Sequence, residues 1–357
     1  MDEAARTTAL ATDDRAAPAA KARLTGIEAG RGLAATAVVL YHAARHLNRS
    51  VPAPWLTHLF QFGHAGVDFF FVISGFIIFH VHAVDIGRPS RLRHYGARRL
   101  TRVLPAYWVA LALTMAMDAG GRPGLHSLGE IAQSLVLLPS DAPPILGIAW
   151  TLQYEVVFYA VFAMLIVNRA IGAAVLVLWL GWIVIALAGG GSGIAPQSIY
   201  GVYNLEFFAG MASAYLLARR RITAPLGLLA AGVAMFACTA ISEDFGALDG
   251  SSNYARLAYG LPSAAIVLGA AASDREGLLD VPAWLRTLGA ASYSIYLFQF
   301  VFIGIGWHVL AATGADGALP VWASFGVYVA VAVGGGILMS RRVEYPLMRR
   351  LRSILDR

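Results

Sequence analysis

Apolar runs near the length of a membrane-spanning helix recur along this chain from residue 27 to residue 339, and they are unbroken rather than alternating. Inside a bilayer every backbone N–H and C=O must find a partner within the chain, so only helices and closed barrels cross it. A barrel strand needs about ten residues of alternating character, whereas a helix needs roughly twenty that are predominantly apolar. Continuous runs therefore specify helices, near 27–47, 66–84, 104–119, 149–167, 170–188, 201–218, 223–241, 255–272, 292–311 and 321–339. With 58% of residues hydrophobic, 13% charged and a mean hydropathy of +0.64, the chain lies outside the range of soluble domains. The expected fold class is all-α, a polytopic integral membrane protein with about ten transmembrane helices around an interior polar cavity.

Residues 1–25, MDEAARTTALATDDRAAPAAKARLT, are small, polar and charged, without the apolar core of a secretory signal. They are expected to be a disordered tail before a single membrane domain at 26–350, with a basic ending at 351–357. The single cysteine, Cys238, lies in an apolar run. A buried thiol is expected there, with neither a disulfide framework nor a metal site. A net charge of +6 and a pI near 9.6 would suit nucleic acid, but the arginines flank apolar spans, so membrane topology accounts for them and no nucleic acid is expected. Placing the tail in the cytoplasm puts 22 of the 27 Lys and Arg residues on that side, leaving Arg45, Arg49, Arg122 and Arg256 outside and Arg31 within a span. Both termini are then cytoplasmic by the positive-inside rule. The longest outer connection, 120–148, contains HSLGEIAQSLVLL, whose apolar spacing predicts a short interfacial helix.

The first span contains RGLAATAVVLYH, residues 31–42, apolar except at its ends. Eleven residues at about 100° each make roughly three turns plus 20°, so Arg31 and His42 share one face about 16 Å apart along the axis. The topology places His42, Asp68, Glu155 and Glu206 on an outer level, and Glu28, Arg31, Arg98, Arg99, Arg102, Tyr293, Tyr296 and Glu344 on an inner one. An ionisable side chain at membrane depth costs several kcal/mol unless paired or wetted, so these groups are expected to line one interior cavity. Each has a plainer reading alone. Glu28 and Arg31 have the spacing of an interfacial ion pair, Asp68 sits where it would cap the second span, and His42 and Glu155 would serve as packed hydrogen-bonding groups. Stacked in depth, they read together as a through-membrane site. Six arginines between Arg88 and Arg102 would set topology or meet acidic lipid headgroups. Within them, RRLTRVLP spaces Arg98, Arg99 and Arg102 helically, as a subset suited to phosphate oxygens.

These residues carry a family resemblance. Arg31 with His42, GVDFFFVISGF (66–76), RRLTRVLP (98–105), WTLQYEVVFY (150–159), LGAASYSIYL (288–297) and VEYP (343–346) resemble, in order and spacing over about residues 24–350, the membrane acyltransferase-3 family. PPILGIAWTLQYE and NLEFFAG are most similar to its exopolysaccharide-modifying branch. The resemblance implies a bacterial inner-membrane enzyme that takes an acyl group, commonly acetyl, from cytosolic acyl-CoA and places it on a sugar hydroxyl of an extracytoplasmic glycan or its lipid-linked precursor. The family's Arg and His motif maps onto Arg31 and His42, its arginine-rich loop onto Arg98, Arg99 and Arg102, and its acidic motif onto Glu155. Gln299 stands where many relatives carry histidine, and an amide does not shuttle protons near neutral pH.

On that basis the donor is expected to be held by Arg98, Arg99, Arg102, Arg31 and Tyr293, with its pantetheine arm running along the first span toward His42. His42 is the expected general base, oriented by Glu155 or Asp68, with direct transfer favoured by the lack of a credible Ser or Cys nucleophile and an acyl-His intermediate left open. Trp150, Tyr154, Tyr159 and Glu206 are candidates for the sugar side, the aromatics being equally suited to interface anchoring. Two other classes share these features. A proton-coupled transporter of sugar or organic acid would use intramembrane His, Glu and Asp as relays, and a sensor would bind acyl-CoA without turnover. The cytoplasmic arginine cluster and the absence of an inverted repeat favour the enzyme.

Overall fold

The computed structural model describes residues 24–121, 126–189, 193–315 and 318–355, which are helical with no strand among them. Almost all of the expected tail, and Arg122, lie outside the described residues. Ten helices of 17 residues or more follow one another as α1 (Thr25–Ser50), α2 (Gly66–His82), α3 (Leu92–Gly121), α4 (Trp150–Val167), α5 (Arg169–Leu187), α6 (Tyr203–Arg219), α7 (Pro225–Asp244), α8 (Asn253–Arg275), α9 (Ala283–Ala312) and α10 (Val321–Met339). Each overlaps an expected span, though α3 and α9 begin well before theirs, at Leu92 against 104 and at Ala283 against 292. Eight are long and apolar enough to cross a membrane; the others are α1, whose Glu28, Arg31, His42 and Arg45 lower its hydropathy, and the 17-residue α6. The chain is an all-α polytopic membrane protein.

α1 is the centre of the bundle, packing against α2, α8, α9 and α10. Small residues permit this. In lipid there is no hydrophobic drive between helices, and close backbone approach over glycine supplies the van der Waals contact instead. Gly32 of α1 lies against Gly289 of α9 so closely that a Cβ on Gly32 would sit 2.7 Å from the Gly289 nitrogen. Gly75 of α2 faces the Phe207 carbonyl of α6, and Gly210 of α6 faces the Val72 carbonyl of α2, leaving room for no side chain at either. α5 and α7 are peripheral, exposing Val177, Leu178, Val233 and Met235. Cys238 is on α7 and is exposed rather than buried, because an apolar run in a peripheral helix faces lipid and not a core.

Three local features differ in extent from their sequence expectation. α3 begins at Leu92, so Arg98, Arg99 and Arg102 belong to the helix itself. The short helix in the long connection is Leu128–Leu135, opened by a capping box in which the Ser127 side chain accepts from the Glu130 N–H and the Glu130 carboxylate accepts from the Ser127 N–H. The Ser127 N–H and the Ser127 hydroxyl both donate to the Glu130 carboxylate and hold it below its usual range. This helix is tied to α3 where Tyr107 Oη donates to the Ser134 carbonyl at 2.8 Å and Trp108 Nε1 to that of Leu135 at 2.8 Å. After α10 a π-helical turn, Ser340–Glu344, leads into α11 (Tyr345–Leu355), which exposes Arg349, Arg350 and Arg352 and packs on α3.

Substitution of Gly210 by alanine places a methyl group against the α2 backbone and is expected to destabilise the bundle by about 1–3 kcal/mol. Thermal unfolding in detergent should show a lowered midpoint for Gly210→Ala and none for Gly181→Ala, where a Cβ meets nothing within 4 Å.

Candidate active site

The face of α1 that carries Arg31 and His42 opens on two adjoining chambers. The first, about 140 Å³, lies among α1, α2, α3, α4 and α9. Arg31, Arg99, Arg102, Glu155, Tyr159 and Tyr293 supply its polar wall. Each cation there is held differently. The Arg102 guanidinium is ion-paired with Glu344, whose other oxygen accepts from Ser294 Oγ at 2.6 Å, and it stands over the Tyr293 ring at 5.3 Å. Glu344 is the last, buried residue of the π-helical turn. The Arg31 guanidinium has neither a hydrogen bond nor an ion pair among the described residues, so the ion pair with Glu28 that the spacing allowed is not formed. The Glu155 carboxylate accepts from Tyr159 Oη and, at 3.3 Å, from Ser74 Oγ.

The second chamber, about 220 Å³, is lined by Tyr41 and His42 of α1, by His64, by Ile148 and Trp150 at the start of α4, by Tyr203 and by Phe300. Val67 and Tyr296 line both chambers and form the partition between them. Tyr296 is fixed there by a 2.9 Å hydrogen bond between its hydroxyl and Thr151 Oγ1. The His42 ring is packed edge-on against Phe300 and Tyr41 at 4.7 and 4.9 Å between centroids, and among the described residues no side chain hydrogen-bonds to it.

Several expected placements are corrected. Glu155 opens into the first chamber with Arg31, not the second with His42, so the structure brings no carboxylate to the imidazole. Arg98 is exposed and lines neither chamber; it and Arg99 are neighbours in sequence, hence 100° apart around α3, and cannot both face inward. Asp68 does not cap α2. It is completely buried and receives Arg256 Nη1 at 2.7 Å. Glu206, 3% exposed, lies on neither chamber, and its buried carboxylate oxygens have no hydrogen-bond partner among the described residues. Tyr154 is likewise off the chamber walls, in an aromatic cluster with Phe71, Trp150 and Tyr203. Gln299 is buried and donates to the Tyr296 carbonyl at 2.9 Å, one turn away on α9.

Arg256 was counted above as an outer topological charge, yet it is 4% exposed at the hub of a network behind the second chamber. Besides Asp68 it reaches Tyr203 Oη at 3.2 Å and His64 Nδ1 at 3.3 Å, while His64 Nε2 lies 2.9 Å from Glu243, which also accepts from Tyr259 Oη at 2.6 Å. Sequence reasoning missed His64, Glu243 and Tyr259. Their partners are 179 and 192 residues away for His64 alone, so no spacing rule points to them.

With this geometry in hand, comparison with known proteins is decisive at the level of family. Residues 24–341 match the Acyl_transf_3 family model, described as an acyltransferase domain. The chain belongs to the acyltransferase-3 family. It is 31% identical over 334 residues, covering 88% of this chain and 96% of the relative, to the exopolysaccharide production protein ExoZ of Rhizobium meliloti (strain 1021). It is 30% identical over 181 residues, 44% of this chain and 90% of the relative, to protein 2 in the picA locus of Rhizobium radiobacter. No solved structure matches it.

In this acyltransferase-3 chain the Asp68–Arg256 pair reads as scaffold for the second chamber. Removing one partner of a buried pair leaves a bare charge and typically costs about 3–5 kcal/mol, whereas removing both costs far less. Unfolding in detergent is expected to show Arg256→Gln and Asp68→Asn each strongly destabilised and the double variant closer to wild type; additive losses would show that the two do not compensate each other.

Proposed function

We propose that this acyltransferase is an integral O-acyltransferase that moves an acyl group, most simply acetyl, from cytosolic acyl-CoA to a sugar hydroxyl of an exopolysaccharide or of its lipid-linked precursor. The name of the relative ExoZ supports the acceptor class. The observation that carries the reading is the pair of adjoining chambers on one face of α1, cationic at Arg31, Arg99 and Arg102 and carrying an imidazole at His42. The protein then lies in the bacterial inner membrane with both termini cytoplasmic, which turns the arginine-rich chamber toward the donor.

The anionic part of acyl-CoA is bound by guanidinium groups at the mouth of the first chamber, and the pantetheine arm passes the partition at Val67 and Tyr296. The roughly 16 Å between Arg31 and His42 along α1 is comparable to an extended pantetheine. In the second chamber His42 accepts the proton of the sugar hydroxyl as its oxygen bonds to the thioester carbonyl carbon. The tetrahedral oxyanion forms beside the first turn of α4, where the helix dipole favours negative charge. Collapse breaks the C–S bond, and the imidazolium returns its proton to the departing thiolate, so proton and charge balance within the cycle. With no carboxylate on the ring, tautomer choice is left to the reactants in this account. Glu155 offsets the guanidinium charge of the first chamber rather than orienting the base. Trp150 and Tyr203 offer faces on which a sugar ring can stack.

Purified full-length protein incubated with labelled acetyl-CoA and candidate glycans is expected to yield labelled glycan. His42→Ala is expected to lower the rate about 10²–10⁴-fold, the range for loss of a general base. Transfer undiminished in His42→Ala, or labelled sugar or acid taken up into proteoliposomes without any transfer, would contradict the reading.

A further inference from the structure

Arg99 enters the first chamber from α3, and its guanidinium is held from behind. Its Nη2 lies 3.0 Å from Nε2 of His82, and Nδ1 of His82 lies 2.8 Å from Oδ2 of Asp85. A guanidinium has donors only, so Nε2 must be the acceptor; the ring is then neutral, with its single N–H on Nδ1 donated to Asp85. The imidazole is 1% exposed and packed edge-on against Tyr95 at 4.9 Å, and Tyr95 Oη donates to the Tyr159 carbonyl at 3.1 Å. The other Asp85 oxygen lies 3.8 Å from Arg91 Nε. The end of α2, the turn after it and the start of α3 are thereby joined in one chain, Asp85 to His82 to Arg99.

Two consequences follow from this chemistry. Arg102 is ion-paired directly, so much of its charge is cancelled by Glu344, whereas Arg99 is held by a neutral acceptor that fixes its direction and leaves its charge available. The Nε–H of Arg99 is also buried without a hydrogen-bond partner among the described residues. Buried donors are nearly always satisfied, so an unpaired one on a residue that lines a cavity calls for an acceptor, which a ligand entering that cavity can supply.

We propose that His82 is a positioning residue for the donor: anchored by Asp85, it aims Arg99 so that the free Nε–H and the uncancelled charge meet a phosphate oxygen of CoA. This rests on the acyl-CoA reading above.

Equilibrium binding of CoA to the full-length protein in detergent tests it. In His82→Gln the side-chain oxygen reaches the position of Nε2 and accepts from Arg99; in His82→Asn the amide reaches only the position of Nδ1. The dissociation constant is expected to rise about tenfold or more in His82→Asn, as for loss of a hydrogen bond to a charged group, and to stay within about threefold of wild type in His82→Gln. A purely structural role would move both alike, and equal constants for the two variants, or no change in either, overturn the proposal. Asp85→Asn keeps the packing while weakening the anchor, and is expected to shift the constant in the same direction; it decides the matter if His82→Asn does not fold, no shift counting against the proposal. Arg99→Ala separates the two levels of inference. An unchanged constant there overturns the donor-site reading together with this one, whereas a raised constant in Arg99→Ala beside unchanged His82 variants overturns this one alone.

Discussion

Charge held at membrane depth is the constraint on which this structure depends. A guanidinium in a low-dielectric interior must be compensated, and the chain treats four of them in four ways, from a full ion pair to none. Arg256 has a completely buried aspartate and two tyrosine rings around it. Arg102 has Glu344, the last residue of a π-helical turn. Arg99 has a neutral imidazole, and Arg31 has no hydrogen-bonding or ion-pair partner among the described residues. The first is closed off behind a chamber wall and serves the fold, while the last two stand on the wall itself with capacity to spare. Of the three guanidinium groups on the first chamber, Arg102 alone has a carboxylate partner, and the other two leave charge for a ligand to meet.

The two chambers follow from how α1 is seated. Because Gly32 and Gly289 let α1 and α9 touch backbone to backbone, Arg31 and His42 look across narrow gaps at α2, α4 and α9 rather than into lipid. The same closeness makes the partition. Val67 and Tyr296 come from helices packed on either side of α1, and the Tyr296 hydroxyl is pinned by Thr151, so the passage has a defined bore instead of a loose gap. Rigid walls of this kind set positions well, and acyl transfer depends on position: reacting groups held at contact distance gain several kcal/mol over free encounter.

Much of this was legible in the sequence, for identifiable reasons. The ten helices were legible because each is an unbroken apolar run, and the shared face of Arg31 and His42 because eleven residues return a helix to nearly the same azimuth. Arg99, Arg102 and Tyr293 were found together as expected. Depth was read less well: Glu155 lies in the second turn of α4 and faces the chamber of Arg31 rather than that of His42. Contacts between distant helices were not legible at all. Asp68 and Arg256 are 188 residues apart, and a residue judged from its flank alone looked like a topological charge. His82 and Asp85 did leave a trace, an i,i+3 pair at the end of a span beside the arginine-rich segment, but only the fold shows that it is aimed at Arg99. α11 was hidden by Pro346, which is tolerated in the first turn of a helix but reads as a breaker in sequence.

The central claim is that one donor molecule spans both chambers, its charge at the guanidinium groups and its thioester at His42. Photolabelling with an acyl-CoA that carries a diazirine on the acyl group, followed by peptide mapping of the full-length protein, tests this most directly. The account predicts covalent label on residues around the second chamber, at Val38–His42, Ile148–Trp150 and Phe300, suppressed by unlabelled acetyl-CoA. Competable label that instead falls only on lipid-facing α5 or α7, or none that acetyl-CoA suppresses, would contradict it.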